Sequence, residues 1–269
     1  HYEGRLRLPW PCAECLRSPR FQAVFSRDQL SADDLSSQLR KPVTFLGNPF
    51  MDPILRDDRR LPQARRRLGL LPGSRRPELE QNLVLLLEVV EQLPAALLSS
   101  GELQLELALV SSLPDAALSE LVTPVGWTLK TADQGPTILL RQDTHQVQIR
   151  RGGFGAVLHS SDLLLCMAGT AAEQAVGLAR PVLQLVGRGP QFTAGFAEAQ
   201  RRLLGPTVFC VDGEAGAPAT LESTAALALE LLERSHRDQQ LQRCCHDEAV
   251  NRLGKANGGN RMAASISQL

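Results

Sequence analysis

Two short turns carry the residues best suited to holding an anion. In "LLPGSRRPELE" (70–80) an apolar run ends at Gly73 and Ser74, and a helical pattern opens behind Arg75 and Arg76. Gly73 lets the backbone approach a ligand closely, and Ser74 offers a hydroxyl. The first turn of the following helix has N–H groups without intrahelical partners. With the helix dipole they attract an anion, and the planar guanidinium of Arg75 or Arg76 matches phosphate geometry. An ordinary strand–helix turn with solvated arginines has the same composition. The stretch "LLLCMAGTAAEQAVGLARPVLQL" (163–185) repeats the arrangement. Gly169 permits close approach, Thr170 supplies a hydroxyl, and a helix is expected over 171–179. Glu173 and Gln174 stand in its expected first turn. A carboxylate there stabilises the helix dipole by ~0.3–1 kcal/mol. It can also accept hydrogen bonds from a ribose diol beside a phosphate. Two such helix starts with an acceptor beside them fit a nucleoside diphosphate. Neither GxGxxG nor a Walker A sequence occurs, so no motif indicates a dinucleotide or phosphoryl transfer.

A third segment, "VGRGPQFTAGFAEAQRRLLG" (186–205), follows the next apolar run. Gly187, Gly189 and Pro190 make a loop that exposes Gln191, and Glu198 and Gln200 follow on a helix. A glutamine amide both donates and accepts, which suits sugar hydroxyls. By chemistry alone, a loop followed by a solvated helix face is the simpler reading. Of six cysteines, Cys166 and Cys210 lie inside apolar runs and act as small hydrophobes. Cys12 and Cys15 have CxxC spacing but no preceding strand or second CxxC. Cys244, Cys245 and His246 are the residues that would have to complete a metal site. The cysteine pattern fits a reducing compartment, and incidental thiols are the simpler reading.

The elements that must position these turns follow from the apolar pattern. Strands are expected over 21–26, 43–47, 68–71, 103–110, 162–167, 181–186 and 207–211, with shorter apolar runs at "WTLK" and "TILL". Helices are expected over 31–39, capped by Ser31, and over 77–93, with Pro77 in its first turn. Others are expected over 171–179, 194–203 and 221–233, with a short one at the end. Continuous apolar strands alternating with helices imply an α/β fold: a Rossmann-like, doubly wound parallel sheet covered on both faces. In such a sheet ligands bind beyond the carboxyl ends of the strands. The chain has 269 residues and is 43% hydrophobic, enough for a large core. Lys+Arg and Asp+Glu are both 29, for zero net charge. A nucleic-acid partner would call for a basic excess, so none is expected. The most apolar helix, "NLVLLLEVVEQLPAALL", is interrupted by Glu88, Glu91 and Pro94, so no membrane span is expected. The basic stretch around "RRLPQARRR" allows peripheral contact with anionic lipid, although a solvated face explains it as well. The opening residues lack a signal-peptide core, and His1 is expected to lie inside a longer protein. A boundary is expected near "GNPFMD" (47–52).

Taken together, "FLGNPFMD", "LLPGSRRPE", "AGTAAEQAVGLARPVLQLVGRGPQFTAGFAEAQRRLLG" and "RLGKANGGNRMAASISQL" resemble the lipid-A-disaccharide synthase family over roughly residues 17–269. The branch most resembled is the synthase-related group of cyanobacteria and similar lineages. The resemblance implies a GT-B glycosyltransferase (a hexosyltransferase). Residues 1–48 would be a remnant of the N-terminal acceptor domain, and 49–250 the nucleotide-sugar-binding domain. Residues 251–269 would be a helix packing back toward the N-terminal part. It further implies inverting transfer from a UDP-sugar to a glycolipid acceptor, with no cofactor and no metal, in the cytoplasm or at the inner membrane. Carried over, Gly73, Ser74 and Arg75 match one phosphate-side loop, and Gly169 and Thr170 the other. Phe154 falls near the uracil, and Gln191 and Gln200 near the donor sugar or its phosphate. The synthases proper place a carboxylate where this chain has Gln174, with Glu173 one step earlier. One step rotates a side chain by ~100° about a helix, so either residue can be the ribose partner. The acceptor base belongs to the absent N-terminal part, and the oligomeric state stays open. Two other readings remain: a non-catalytic nucleotide-sugar-binding module, and a UDP-sugar epimerase of the same fold.

Overall fold

The computed structural model describes residues 6–131, 137–189 and 192–269. Its strands are β1 (Arg67–Leu71), β2 (Gln104–Leu109), β3 (Thr128–Lys130), β4 (Ile138–Arg141), β5 (His145–Arg151), β6 (Leu163–Cys166), β7 (Val182–Leu185) and β8 (Val208–Val211). Its α-helices are α1 (Trp10–Arg17), α2 (Gln29–Leu39), α3 (Asp52–Leu55), α4 (Glu78–Val90), α5 (Ala95–Ser99), α6 (Asp115–Val122), α7 (Phe154–Ser160), α8 (Gly169–Gly177), α9 (Ala194–Leu204), α10 (Pro218–Arg237), α11 (Gln239–Glu248) and α12 (Gly258–Ile266).

All eight strands form one sheet in the order β3-β4-β5-β2-β1-β6-β7-β8. Six of them, from β5 to β8 in that order, pair in parallel. The expected doubly wound parallel sheet is there, with an antiparallel edge added, because β4 pairs antiparallel with β3 and β5. The turn at Gln142–Asp143, both with positive φ, is too short for a crossover and returns the chain as a hairpin. β5 escaped the sequence reading because "HQVQIRR" alternates polar and apolar residues and has no continuous apolar run.

Side chains alternate across the sheet with period two. Leu68, Leu70, Leu105, Leu107, Leu163, Leu165, Leu183 and Leu185 face the larger core with α4, α6 and α10. Leu71, Leu164, Cys166, Val182 and Val208 face the second core with α7 and α8. On that second face, Glu106 of β2 is fully buried and pairs with Arg150 Nε at 2.7 Å and Arg67 Nε at 3.5 Å.

The start of the chain differs from the reading. Residues 21–26 and 43–47 are not strands; they meet only at a parallel bridge between Phe25 and Thr44. Neither segment has a sheet edge beside it to extend the pairing. Asp28, not Ser31, caps α2: its side chain accepts from Ser31 N at 2.7 Å. Ser31 is already inside the first turn. Cys12 and Cys15 are exposed on α1. At the other end, α12 lies against residues 46–52. Asp52 accepts from Gly258 N and Gly259 N, both at 3.0 Å, and Arg261 Nε donates to Leu46 O at 2.8 Å. Among the described residues, no helix is long and apolar enough to cross a membrane.

Candidate functional site

The order of winding creates the site. β1 runs through α4 to β2 on one side, whereas β6 lies against the other side of β1 and leads through α8 to β7 and β8. The crossovers after β1 and β6 therefore leave on opposite faces, and a crevice opens between them. This is the topological switch point, where doubly wound sheets bind ligands. Both polar turns read from the sequence, 72–77 and 167–170, border it.

The crevice has two halves that share Gly73, Ser74, Ala168 and Thr170. One half, of about 370 Å³, is mostly apolar, with Leu71, Val110, Phe154 and Ala171 in its wall and Gln174 as its amide. The other, also about 370 Å³, takes Arg75, Glu78, Asn82 and Gly169 and is rimmed by Phe192 and Phe196. The two rings meet edge to face with centroids 5.1 Å apart. Phe192 is buried, and Phe196 is exposed at the rim. Thr193 caps α9 by accepting from Phe196 N at 3.2 Å, which sets that rim.

The two helix starts are not equivalent. The first turn of α4 carries Glu78 and Glu80, and Pro77 is its N-cap, not its first turn. Arg76 pairs with Glu80, which leaves Arg75 as the guanidinium lining the crevice. α8 begins at Gly169, two residues earlier than expected, with no side-chain cap and no acid in its first turn. Its leading N–H groups therefore open on the crevice with no carboxylate of their own turn to compete, an arrangement favourable for an anion. Gly73 holds φ +101°, a conformation that a side chain would strain. At Gly169 an added Cβ would stand 2.9 Å from Gln200 Nε2, so that amide would have to shift to admit one.

The early start of α8 corrects the expectation for Glu173, which is the fifth helical residue and not part of the first turn. Its carboxylate turns to Arg27, at 3.4 Å, on the segment before α2. Gln174 is buried and lines the apolar half. Gln200 is buried too, bonded to Gln184 Nε2 at 2.9 Å, and is not on a solvated face. Glu198 is the solvated member of α9; Arg201 and Arg202 hold its carboxyl down to about 2. Gln191 lies outside the described residues.

One residue at the site left no signal in the sequence. Asn82 of α4 is buried and donates from Nδ2 to Pro72 O at 3.0 Å and to Met167 O at 3.3 Å. It ties the turn after β1 to the turn after β6. Cys166 ends β6 beside the crevice, but burial pushes its thiol up to about 12, so it stays protonated at neutral pH. Among the described residues, no three His, Cys, Asp or Glu side chains cluster as metal ligands.

No protein-family model and no curated protein matches this sequence. Solved structures match its fold. A protein described as a UDP-N-acetylglucosamine 2-epimerase, from Listeria monocytogenes, aligns with TM-score 0.55 at 18% identity over 91% of this chain and 59% of its own. The UDP-N-acetylglucosamine 2-epimerase of Neisseria meningitidis, bound to UDP-N-acetylglucosamine, gives 0.54 at 16% over 100% of this chain and 69% of its own. A spinosyn rhamnosyltransferase complexed with thymidine diphosphate gives 0.46 at 16% over 78% and 46%. The chain has the Rossmann-like α/β fold of the GT-B type. It spans 59% of the length of the Listeria protein, and at these identities the likeness is one of fold.

Proposed function

We propose that this chain is the nucleotide-sugar-binding half of a GT-B glycosyltransferase. One observation carries the reading: the turns 72–77 and 167–170 meet at the switch point of the sheet, with the uncapped start of α8 between an apolar and a polar half-crevice. In this reading the apolar half beside Phe154 takes a uracil, and Gln174 hydrogen-bonds the ribose. Gly73, Ser74, Gly169 and Thr170 hold the diphosphate with Arg75 alongside, and the sugar lies toward Gln200. The N–H groups of α8 and the hydroxyls of Ser74 and Thr170 stabilise the diphosphate as its charge grows on leaving. An acceptor hydroxyl attacks the anomeric carbon from the opposite side, inverting it, and a base outside this half takes its proton. The family resemblance in the sequence supports a lipid-linked sugar acceptor at a membrane surface, and a chemistry that needs neither metal nor cofactor.

The fold shared with two UDP-N-acetylglucosamine 2-epimerases supports a second reading, epimerisation of the same class of donor. That chemistry needs acid and base groups at the sugar, and Glu78 is the carboxylate lining the polar half.

Calorimetric titration with UDP tests the binding reading directly. Gln174→Ala is expected to weaken binding about tenfold, the worth of a hydrogen bond in a desolvated site. Glu173→Ala is expected to leave affinity within about twofold, since its partner is Arg27. A folded protein that binds no UDP, or the reverse ranking of the two variants, defeats the assignment. Turnover of UDP-sugar to UDP only with an added acceptor separates transfer from epimerisation.

A further inference from the structure

We infer that Gln184 is a positioning residue: it fixes the side-chain amide of Gln200 so that the NH2 group faces the start of α8, against the phosphate end of the ligand. The inference rests on the nucleotide reading above. Gln184 sits in the middle of β7 between Leu183 and Leu185 and is fully buried. A leucine there would continue the core, and a buried amide is tolerated only where its polar ends are paired. Its Nε2 donates to Gln200 Oε1 at 2.9 Å. An amide has a donor end and an acceptor end, so drawing the oxygen of Gln200 toward Gln184 turns its nitrogen away. That nitrogen lies over Gly169, 2.9 Å from the point a Cβ would occupy, against the first residue of α8. Among the described residues it has no acceptor there.

A weaker contact lies at the other end of Gln184. Its Oε1 faces Cys210 Sγ at 3.9 Å, and that sulfur also reaches Ala197 O at 3.6 Å. Burial pushes the Cys210 thiol up to about 11, so at neutral pH it is S–H and can only donate to an amide oxygen. The S–H hydrogen has two acceptors, Ala197 O and Gln184 Oε1, and when it points to Gln184 the chain through Gln184 nitrogen to Gln200 oxygen runs in one direction. It ends on an NH2 beside the uncapped helix start, where an anion adds an acceptor.

The test is calorimetric titration with UDP of wild type, Gln184→Met, Gln200→Ala and the double variant, with thermal melts to show that each is folded. Methionine keeps the length of Gln184 and removes its donor. Each single variant is expected to bind about tenfold more weakly. The double variant should be no weaker than Gln200→Ala alone, because both act through one amide. In ¹⁵N spectra the Gln200 NH2 resonances should move on addition of UDP to wild type, and less in Gln184→Met. Wild-type affinity in Gln184→Met, or losses that add in the double variant, would overturn the inference and leave the nucleotide reading standing. A folded wild type that binds no UDP overturns both. If Gln184→Met does not fold, Cys210→Val keeps both amides and removes the S–H donor. It should split the Gln200 NH2 signal into two sets, and a single unchanged set overturns the inference.

Discussion

Replacing Asn82 with leucine probes whether the two turns work as one site. Leucine nearly preserves the shape of the buried side chain, so little cavity forms. What is lost is one NH2 group that donates to Pro72 O at 3.0 Å and Met167 O at 3.3 Å. Two such bonds contribute ~0.5–1.5 kcal/mol each, or about 1–3 kcal/mol together. In a chain of this size each kcal/mol moves the melting temperature by about 2–4 °C, so Asn82→Leu should melt ~2–12 °C lower. The consequence for the crevice is separate. Pro72 precedes Gly73, and Met167 precedes Ala168 and Gly169, so the lost tether lets the two halves of the anion cradle drift apart. UDP affinity should fall about fivefold, or about 1 kcal/mol. Circular dichroism melts and UDP titration on the same preparation read both quantities. A melting point within about 1 °C of wild type would mean that water replaces the amide and that Asn82 holds nothing. A lower melting point with unchanged affinity would mean that the β1–β6 ladder alone aligns the turns. Either result refutes the argument.

Four further perturbations are specific. Gly73→Ala forces a side chain onto φ +101° and should cost about 1–2 kcal/mol of stability with weaker UDP binding, checked by denaturant melts and titration. Glu106→Ala removes the carboxylate between buried Arg67 and partly buried Arg150 and should cost about 3 kcal/mol, seen as a drop in the denaturation midpoint. Burial lowers the pKa of His159, whose Nε2 lies 2.8 Å from Ile54 O. Below its unfolded value of 6.5 the unfolded chain binds more protons, so stability falls as pH falls through 6.5 toward the folded value. His159→Gln, melted at pH 7.5 and pH 5.5, should lose less stability over that interval than wild type does. A thiol reagent should modify exposed Cys12 and Cys15 in the native protein, whereas Cys166 and Cys245, both pushed by burial up to about 12, should react only on unfolding.

The parts of the fold that were legible are those specified by local pattern. Mostly apolar runs marked β1, β2, β6, β7 and β8, because strands buried on both faces are predominantly apolar, with Glu106 and Gln184 the buried exceptions. The turns 72–77 and 167–170 were visible as Gly–hydroxyl pairs opening helices, since both requirements lie within a few residues. What escaped was either locally ambiguous or set by distant residues. The strand β5 alternates, α11 carries few apolar residues, and the segments 21–26 and 43–47 look like strands without a sheet to join. The Arg67–Glu106–Arg150 cluster is assembled from three strands and has no motif.

At the candidate site the division is sharper. Residue types alone specified an anion-ready pair of helix starts with a carboxylate and an amide beside one of them. They left Glu173 and Gln174 equivalent, because a helix turns by ~100° per residue and its phase depends on where it begins. Tertiary structure decided that phase by starting α8 at Gly169, which sends Glu173 to Arg27 and Gln174 into the crevice. It also placed β6 against β1, bringing together two turns nearly a hundred residues apart, and recruited Asn82 to tie them. Strand order is a property of how whole layers bury their apolar faces, and no short stretch of sequence encodes it.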